Sequence, residues 1–309
     1  MTDSNPAQST TGAPNSLDFE SRAPRRGRSW AMRSLLANRG AIAGLCVLCV
    51  VVFAGLFSSL IVPHDPTLRD ISRRLSPPLS TINGEFFLLG TDAVGRDILS
   101  RIIFGTRITL IVGLASVALA GSVGLTLGLI AGYVGKWPDT IIMRLADIQL
   151  ALPFMVLAIA VAGALGSSLR NTIIVLGVTG WVTYCRLVRA ETLSVREQDY
   201  VLSAKAIGAP GYHIVIRHIL PNVRASAIVA ATLMVARMLI AEASLSFLGL
   251  GIPISTPTWG VMISEGREYI VTAWWVAAFP GIAILITVMS VNLVGDWLRD
   301  ALDPRMRRG

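Results

Sequence analysis

Six long apolar stretches constrain this chain more than any other feature of its sequence. They cover approximately residues 41–62, 108–132, 141–165, 172–188, 225–248 and 273–293. A helix needs about 20 predominantly apolar residues to cross a bilayer, and its backbone groups must be hydrogen-bonded within the segment. The pattern therefore predicts an all-α polytopic membrane protein with six transmembrane helices.

The composition agrees with this class, because 53% of the 309 residues are hydrophobic and only 15% are charged. The first apolar stretch is longer than the roughly 7–15-residue core of a signal peptide, so we expect it to remain as an anchor. Pro153 predicts a bend in the third stretch. Four glycines predict close helix packing along the second stretch: Gly113, Gly121, Gly124 and Gly128.

The distribution of arginine predicts the orientation of the chain, since cytoplasmic segments carry the excess of basic residues. We predict a membrane domain over 41–298, with both termini cytoplasmic. Residues 1–40 form a disordered basic tail in this prediction, and 299–309 form a short basic one. The loop 191–224 is then cytoplasmic and the loop 63–107 external. Six arginines in the external loop run against the rule, but nearby acidic residues balance them.

Several functional classes find no support in the sequence. The net charge of +8 belongs to arginines beside membrane segments, so we predict no nucleic-acid partner. The cysteines and histidines lack the spacing of a metal site or of a catalytic pair, so we predict neither kind of site. Only two lysines are present, Lys136 and Lys205, and neither stands in the phosphate-binding pattern G-x-x-x-x-G-K-S/T. We therefore predict that the chain does not hydrolyse ATP itself.

A polar segment, residues 200–222, lies between the fourth and fifth apolar stretches and reads YVLSAKAIGAPGYHIVIRHILPN. We call it the bracket. Its pattern predicts a short helix around Ala204 and a turn at Gly208. A second short helix is predicted to begin at Tyr212 and to end at Pro221, which lacks the N–H needed to continue the helix.

The bracket resembles the cytoplasmic coupling loop of bacterial ABC importer permeases. Its sequences AKAIG and RHILPN are similar to the AARALG and RHILPN of peptide-type permeases, although Leu202 stands where the family has an acidic residue. The resemblance implies that the bracket contacts an ATPase. The residues concerned are Ser203, Ala204, Lys205, Ala206, Gly208, Arg217, His218, Leu220 and Pro221.

Three further segments resemble the C-type permeases of dipeptide and oligopeptide importers. They are LGTDAVGRDILSRIIFGTRITL at 89–110, EASLSFLGLGIP at 242–253 and GDWLRDALDPRMR at 295–307. With the bracket, they extend the resemblance over residues 36–308. The first segment contains the external motif of the family, here Gly90, Thr91, Asp92, Gly95, Arg96 and Asp97.

The resemblance implies a type I ABC importer permease fold and a role as one half of a heterodimeric pore for peptides. The implied partners are a second permease of the B type, two ATPase subunits or domains, an extracytoplasmic peptide-binding protein and membrane lipid. ATP and Mg²⁺ would be bound by the ATPases, with no cofactor on this chain. The implied location is the bacterial cytoplasmic membrane.

Ionisable side chains within the apolar stretches are costly, about 2.5–3.5 kcal/mol each on insertion scales, and mark candidate sites. Arg144, Asp147 and Glu242 are the candidates for the pore or a gate. The alternative is structural, with Arg144 and Asp147 paired three residues apart and Glu242 either packed against a sister subunit or placed at the end of its helix.

Other functions stay open at this point. A proton-coupled secondary transporter would use Asp147 and Glu242 as proton sites, and an intramembrane enzyme would need paired acids or a serine–histidine dyad at membrane depth. Internal repeats typical of secondary transporters are not evident. Within the resembled family, nickel, haem or glutathione remain alternative cargoes.

Overall fold

The computed structural model describes residues 34–36 and 38–302. Most of the predicted N-terminal tail and residues 303–309 of the predicted C-terminal tail lie outside the described residues. From Arg39 onward the helices are α1 (Arg39–Leu56), α2 (Ser58–Ile61), α3 (Ile98–Val134), α4 (Lys136–Leu150), α5 (Phe154–Leu165), α6 (Leu169–Arg196), α7 (Asp199–Ala206), α8 (Gly211–Ile214), α9 (Leu220–Phe247), α10 (Trp259–Gly266) and α11 (Trp275–Leu302).

Long apolar helices dominate the described residues and confirm the all-α membrane class. Five are long and apolar enough to cross a bilayer: α1, α3, α6, α9 together with the helical residues from Gly211, and α11. A sixth crossing results if α4 and α5 form one span, with a bend of 90° between them. The structure thus has the predicted helices in the predicted order.

The third predicted span, 141–165, is the one that departs from a single helix. It divides at Pro153, whose ψ of 131° is not helical and which caps α5. Proline lacks an N–H and disfavours the helical conformation in the residue before it, so α4 cannot continue through Leu152. The bend predicted from Pro153 is therefore confirmed as a complete break.

The bundle is built around α3, which packs along most of its length against α6. On its other side, α3 contacts α1 and α9, and α11 closes the group by packing against both of these helices. The main apolar core lies between α3, α5, α6 and α9. This arrangement places α3 at the centre of the molecule.

Glycines allow α3 and α6 to approach closely, as the sequence predicts. A Cβ atom on Gly128 would lie 2.7 Å from the carbonyl oxygen of Cys185 and 2.8 Å from the Cβ of Val188. One turn further, a Cβ on Gly132 would lie 2.6 Å from that of Thr192. The small residues therefore bring the two backbones together over several turns.

The loop 63–107, which the sequence predicts to be external, is ordered by a short hairpin and by its contacts with the bundle. Strands β1 (Ser80–Ile82) and β2 (Glu85–Phe87) pair antiparallel, with Ser80 opposite Phe87. Phe87 is buried. The loop leads into α3, which begins ten residues before the predicted start of that span because Asp97 caps its first turn, accepting from the Ser100 amide at 3.0 Å.

Candidate functional site

The first half of the bracket has the predicted helix and turn. α7 ends in a turn through Gly208, whose φ is +81°. The Gly208 amide donates to the carbonyl of Lys205 at 3.0 Å, and the Ala209 amide donates to that of Ala204 at 3.1 Å. These two bonds are the Schellman ending of a helix, in which glycine adopts the left-handed conformation at the least cost.

The second half of the bracket differs from the prediction, because the chain does not leave the helix at Pro221. α8 passes through a π turn, Val215–Ile219, directly into α9, and Pro221 lies in the first turn of α9. Proline is tolerated there, because the wider π turn before it leaves room for the ring and compensates for the backbone N–H that Pro221 lacks. The side-chain amide of Asn222 donates to the carbonyl of His218 at 2.6 Å.

An apolar cluster joins the bracket to the ends of the membrane helices. Val201, Ala204, Ile214 and Ile219 of the bracket are buried, in a cluster that also contains Val188 of α6. Partly buried residues of α3 complete it: Leu125, Leu129 and Tyr133. The bracket is thus packed onto α3 and α6 through buried apolar side chains.

The outer surface of the bracket carries most of the residues that the resemblance assigns to ATPase contact. Ala204 is buried, and His218 and Leu220 are partly buried. The exposed members are Ser203, Lys205, Ala206, Gly208, Arg217 and Pro221.

Sequence reasoning missed the two most prominent side chains of this surface. Ile207 is 85% exposed and Tyr212 is 72% exposed, on either side of the Gly208 turn. Large apolar side chains at the tip of a polar segment are the signal that could have identified them.

The external motif forms a compact turn at the start of α3. The side chain of Asp92 accepts hydrogen bonds from the amides of Val94 and Arg96, both at 2.9 Å. Gly90 has a φ of +79°, and a Cβ there would lie 2.5 Å from the carbonyl oxygen of Ser76. Thr91 is buried, and its carbonyl accepts from the indole of Trp275 on α11 at 3.2 Å.

Four charged residues link this motif to α10. Asp92 lies 2.6 Å from both Arg96 and Arg101, and Glu265 lies 2.9 Å from Arg96 and 2.7 Å from Arg101. We call these residues the outer ion cluster. Burial opposes the charge on Arg96, but Asp92 and Glu265 outweigh it and raise the pKa of the guanidinium. The cluster fixes the external loop to the helices behind it.

The charged residues of α4 pair differently from the structural alternative. Asp147 forms an ion pair with Arg186 of α6 instead of with Arg144 three residues away. Asp147, Arg186 and Arg144 are all exposed, and Arg144 has no hydrogen-bond or ionic partner among the residues that the structure describes. The candidate pore residues of α4 thus lie on an open surface of this chain.

Glu242 occupies a different environment, with no exposed surface. One of its carboxylate oxygens, Oε1, accepts from the hydroxyl of Ser246 at 2.8 Å and from that of Thr258 at 3.2 Å. Because Thr258 caps α10, Glu242 joins the end of α9 to α10. It lies within a packing contact of this chain, and the gate role remains a prediction.

Family models match two parts of the chain. Residues 124–308 match the binding-protein-dependent transport system inner membrane component family. Residues 29–78 match the N-terminal transmembrane domain of oligopeptide transport permease C. Together they cover both ends of the bundle and the whole bracket.

Curated relatives are similar along nearly the entire chain. The di/tripeptide transport system permease protein DppC of Pseudomonas aeruginosa is 42% identical over 276 residues, which are 89% of this chain and 91% of the relative. The dipeptide transport system permease protein DppC of Alkalihalophilus pseudofirmus is 41% identical, covering 90% of each chain. The glutathione transport system permease protein GsiD of Pectobacterium atrosepticum is also 41% identical, covering 91% of each.

A solved structure supports the same architecture. A chain of the MetNI methionine ABC transporter, in an inward-facing conformation, matches with a TM-score of 0.55. The match covers 67% of this chain and 98% of that one at 18% identity, so it bears on the fold alone. The predicted type I permease fold is confirmed. This multi-pass inner membrane protein belongs to the binding-protein-dependent transport system inner membrane component family, as an ABC importer permease of the dipeptide/oligopeptide type.

Proposed function

We propose that this chain forms one half of a heterodimeric pore that imports short peptides, with ATP hydrolysed on separate subunits. The bracket is the observation that carries the proposal, because it presents exposed apolar side chains and is packed onto α3 and α6. The names of the DppC relatives support peptides as the cargo. The absence of a phosphate-binding loop from the sequence supports placing ATP and Mg²⁺ on partner ATPase subunits.

The bracket would seat in a surface groove of an ATPase subunit, with Ile207 and Tyr212 as its anchors. Exposed apolar side chains at the centre of a contact commonly supply much of its binding energy. When the ATPases close on ATP, they would move the bracket, and the apolar cluster would carry that movement to α3 and α6. The contribution of this chain to transport is then a difference in stability between two conformations of the pore.

The proposal includes an orientation of the chain in the membrane. The bracket and both termini would lie in the cytoplasm, as the arginine distribution predicts. The external loop, 63–107, would lie on the opposite side of the membrane. There it would meet a peptide-binding protein that delivers the cargo, while a B-type permease would complete the pore.

Purification of the tagged chain from its native membranes tests the proposal directly. We expect a second permease and ATPase subunits to co-purify, and the reconstituted complex to take up a dipeptide when ATP and the binding protein are supplied. Recovery of the chain alone, with uptake driven by a proton gradient, would favour a secondary transporter instead.

A variant of the bracket separates the coupling contact from general damage. Ile207→Glu places a charge at the exposed tip, and we expect loss of ATPase co-purification and of uptake while the helices stay folded. Ile254→Glu is the matched control, because Ile254 is also exposed, at 67%, but lies beyond the opposite end of α9. Equal effects of the two substitutions would contradict the coupling role.

Glutathione is a second candidate cargo, favoured by the GsiD relative at 41% identity. It resembles a short peptide in its size and amide chemistry, so the same pore would accommodate it. Competition between labelled dipeptide and glutathione during uptake distinguishes the two, provided that each is supplied with its own binding protein. Dipeptide uptake that glutathione does not reduce would favour the peptide assignment.

A further inference from the structure

A cavity of about 210 Å³ lies where α5, α6 and α9 meet, beside the break at Pro153. α6 contributes Thr179 and Thr183 to its wall, and α9 contributes Arg237. The cavity is smaller than the roughly 300–1,000 Å³ of sites that enclose a whole drug-sized ligand. Its size suits one end group of a larger molecule.

Arg237 is the unusual member of this wall, because it is charged, exposed and deep within a membrane span. It precedes the end of α9 at Phe247 by ten residues, a distance of about 15 Å along the helix axis. It makes no hydrogen bond or ion pair with any residue that the structure describes. An arginine at this depth is costly unless it faces water or a negatively charged partner.

A neighbouring arginine on the same surface, Arg186, has an ionic partner within the chain. Arg186 follows Thr183 by three residues on α6 and is paired with Asp147. Its charge is therefore neutralised within the chain, whereas that of Arg237 is not. Thr183 is likewise exposed, and its hydroxyl has no partner among the described residues. A free guanidinium and a free hydroxyl thus line one cavity.

We propose that Arg237, assisted by Thr183, binds the terminal carboxylate of the peptide as it crosses the membrane. The inference rests on the proposed function as a peptide importer. A guanidinium matches a carboxylate by two parallel hydrogen bonds, which a lysine ammonium cannot reproduce. A terminal carboxylate is present on every unmodified peptide, so this contact holds cargoes of different sequence in one orientation.

The remaining wall of the cavity fits a varied cargo. Met155, Met234 and Met238 line it together with Phe154. Methionine side chains are flexible and polarizable, and they adapt to apolar groups of different shape. The site therefore combines one fixed polar contact with an adaptable apolar surface, which is the chemistry that peptides of mixed sequence require.

Uptake by the complete reconstituted transporter tests the inference with three variants. Arg237→Gln removes the charge, and Thr183→Val removes the hydroxyl. Arg237→Lys keeps the charge but cannot form the two parallel hydrogen bonds of a guanidinium. Arg170→Gln is the control, because Arg170 is also exposed and without a described partner but lies thirteen residues before Thr183 on α6, about 20 Å away. The readouts are peptide uptake, ATP hydrolysis and recovery of the intact complex.

We expect Arg237→Gln to lower uptake of a free-carboxylate peptide by at least about tenfold, as loss of a charge-assisted contact implies. ATP hydrolysis stimulated by the loaded binding protein and recovery of the complex should be retained. Arg237→Lys should recover part of the uptake, Thr183→Val should lose less than Arg237→Gln, and Arg170→Gln should match the wild type. A peptide carrying a C-terminal amide, loaded to equal occupancy on the binding protein, should be affected little by Arg237→Gln.

Two outcomes would overturn the inference. Unchanged uptake by Arg237→Gln would remove Arg237 from the path. Loss of the intact complex in this variant, with ATP hydrolysis and uptake falling together, would instead assign Arg237 to an ion pair with the partner permease. Failure of the proposed function is distinct from both, since the wild-type complex would then show no ATP-dependent peptide uptake.

Discussion

The outer ion cluster is the most deeply buried charged contact among the described residues of the external loop. Arg101 and Asp92 are 1% and 2% exposed, and Arg96 and Glu265 shield the pair from solvent. Two arginines and two carboxylates balance each other, so no net charge is buried. Removal of one partner would leave an uncompensated charge in a dry environment, and this makes the cluster sensitive to single substitutions.

We expect Asp92→Ala to destabilise the folded chain by about 3–5 kcal/mol, since two buried arginines then share the single carboxylate of Glu265 and one positive charge is left uncompensated. The substitution also removes the acceptor for the Val94 and Arg96 amides. The midpoint of thermal unfolding in detergent, followed by tryptophan fluorescence, measures the loss. Glu197→Ala is the control, because Glu197 is 64% exposed in its pair with Arg196 and should cost no more than about 1 kcal/mol. Equal losses would show that the cluster adds little to stability.

Individual residues differ in how far the sequence could identify them. The Gly208 turn follows from local rules, because glycine and proline set the backbone conformations that the turn requires. Glu265 is 169 residues from Arg96, and no local pattern joins the two. The pairing of Asp147 with Arg186 could not be predicted for the same reason, because the sequence is compatible with a partner on the same helix and with one on another helix. Long-range ion pairs become visible only when the helices are placed.

At the scale of the elements, the contact of α3 with α6 depends on glycines. Gly128 and Gly132 face backbone atoms and Cβ atoms of α6 rather than the flexible ends of long side chains. Such neighbours cannot move aside without separating the helices. Packing of this kind drives association in a bilayer, where burial from water contributes little between lipid-exposed helices.

We expect Gly128→Ala to destabilise the bundle by about 1–3 kcal/mol, because the added Cβ would lie 2.7 Å from the Cys185 carbonyl oxygen. Gly281→Ala on α11 is the matched control, since no atom lies within 4 Å of its Cβ position. Thermal unfolding of the two purified variants under identical conditions gives the comparison. A Gly128→Ala variant as stable as Gly281→Ala would contradict close packing at this point.

Apolar content predicted the long helices well, because the length of a membrane span is a strong physical constraint. It did not predict their ends. α3 begins at Ile98, where Asp97 caps it outside the apolar stretch. The sequence predicts a helix end at Pro221, yet the π turn before it allows the helix to continue into α9. Proline marks a disturbance in the helix, and the surrounding packing decides whether that disturbance becomes a break, as at Pro153, or a wider turn.

At the scale of the whole molecule, α3 connects the two regions that the family resemblance identified. Its 37 residues extend over about 55 Å. Its first turn contains Arg101 of the outer ion cluster, and its last turns contain Gly132 and Tyr133, which contact α6 and the bracket. The loop before α3 and the bracket are therefore both attached to this one helix, and Tyr133 is one of three α3 residues, with Leu125 and Leu129, that pack against the bracket.

We expect Tyr133→Ala to weaken this connection while leaving the transporter assembled. Tyr133 packs in the apolar cluster of the bracket, and the ammonium of Lys205 lies 5.6 Å from its ring centroid. Its loss should lower the ratio of binding-protein-stimulated to basal ATP hydrolysis by a factor equivalent to about 0.5–2 kcal/mol of coupling. Trp137→Ala is the control, because Trp137 is 71% exposed and lies outside the cluster. If both variants keep the wild-type ratio, Tyr133 does not contribute to the coupling between the bracket and the pore.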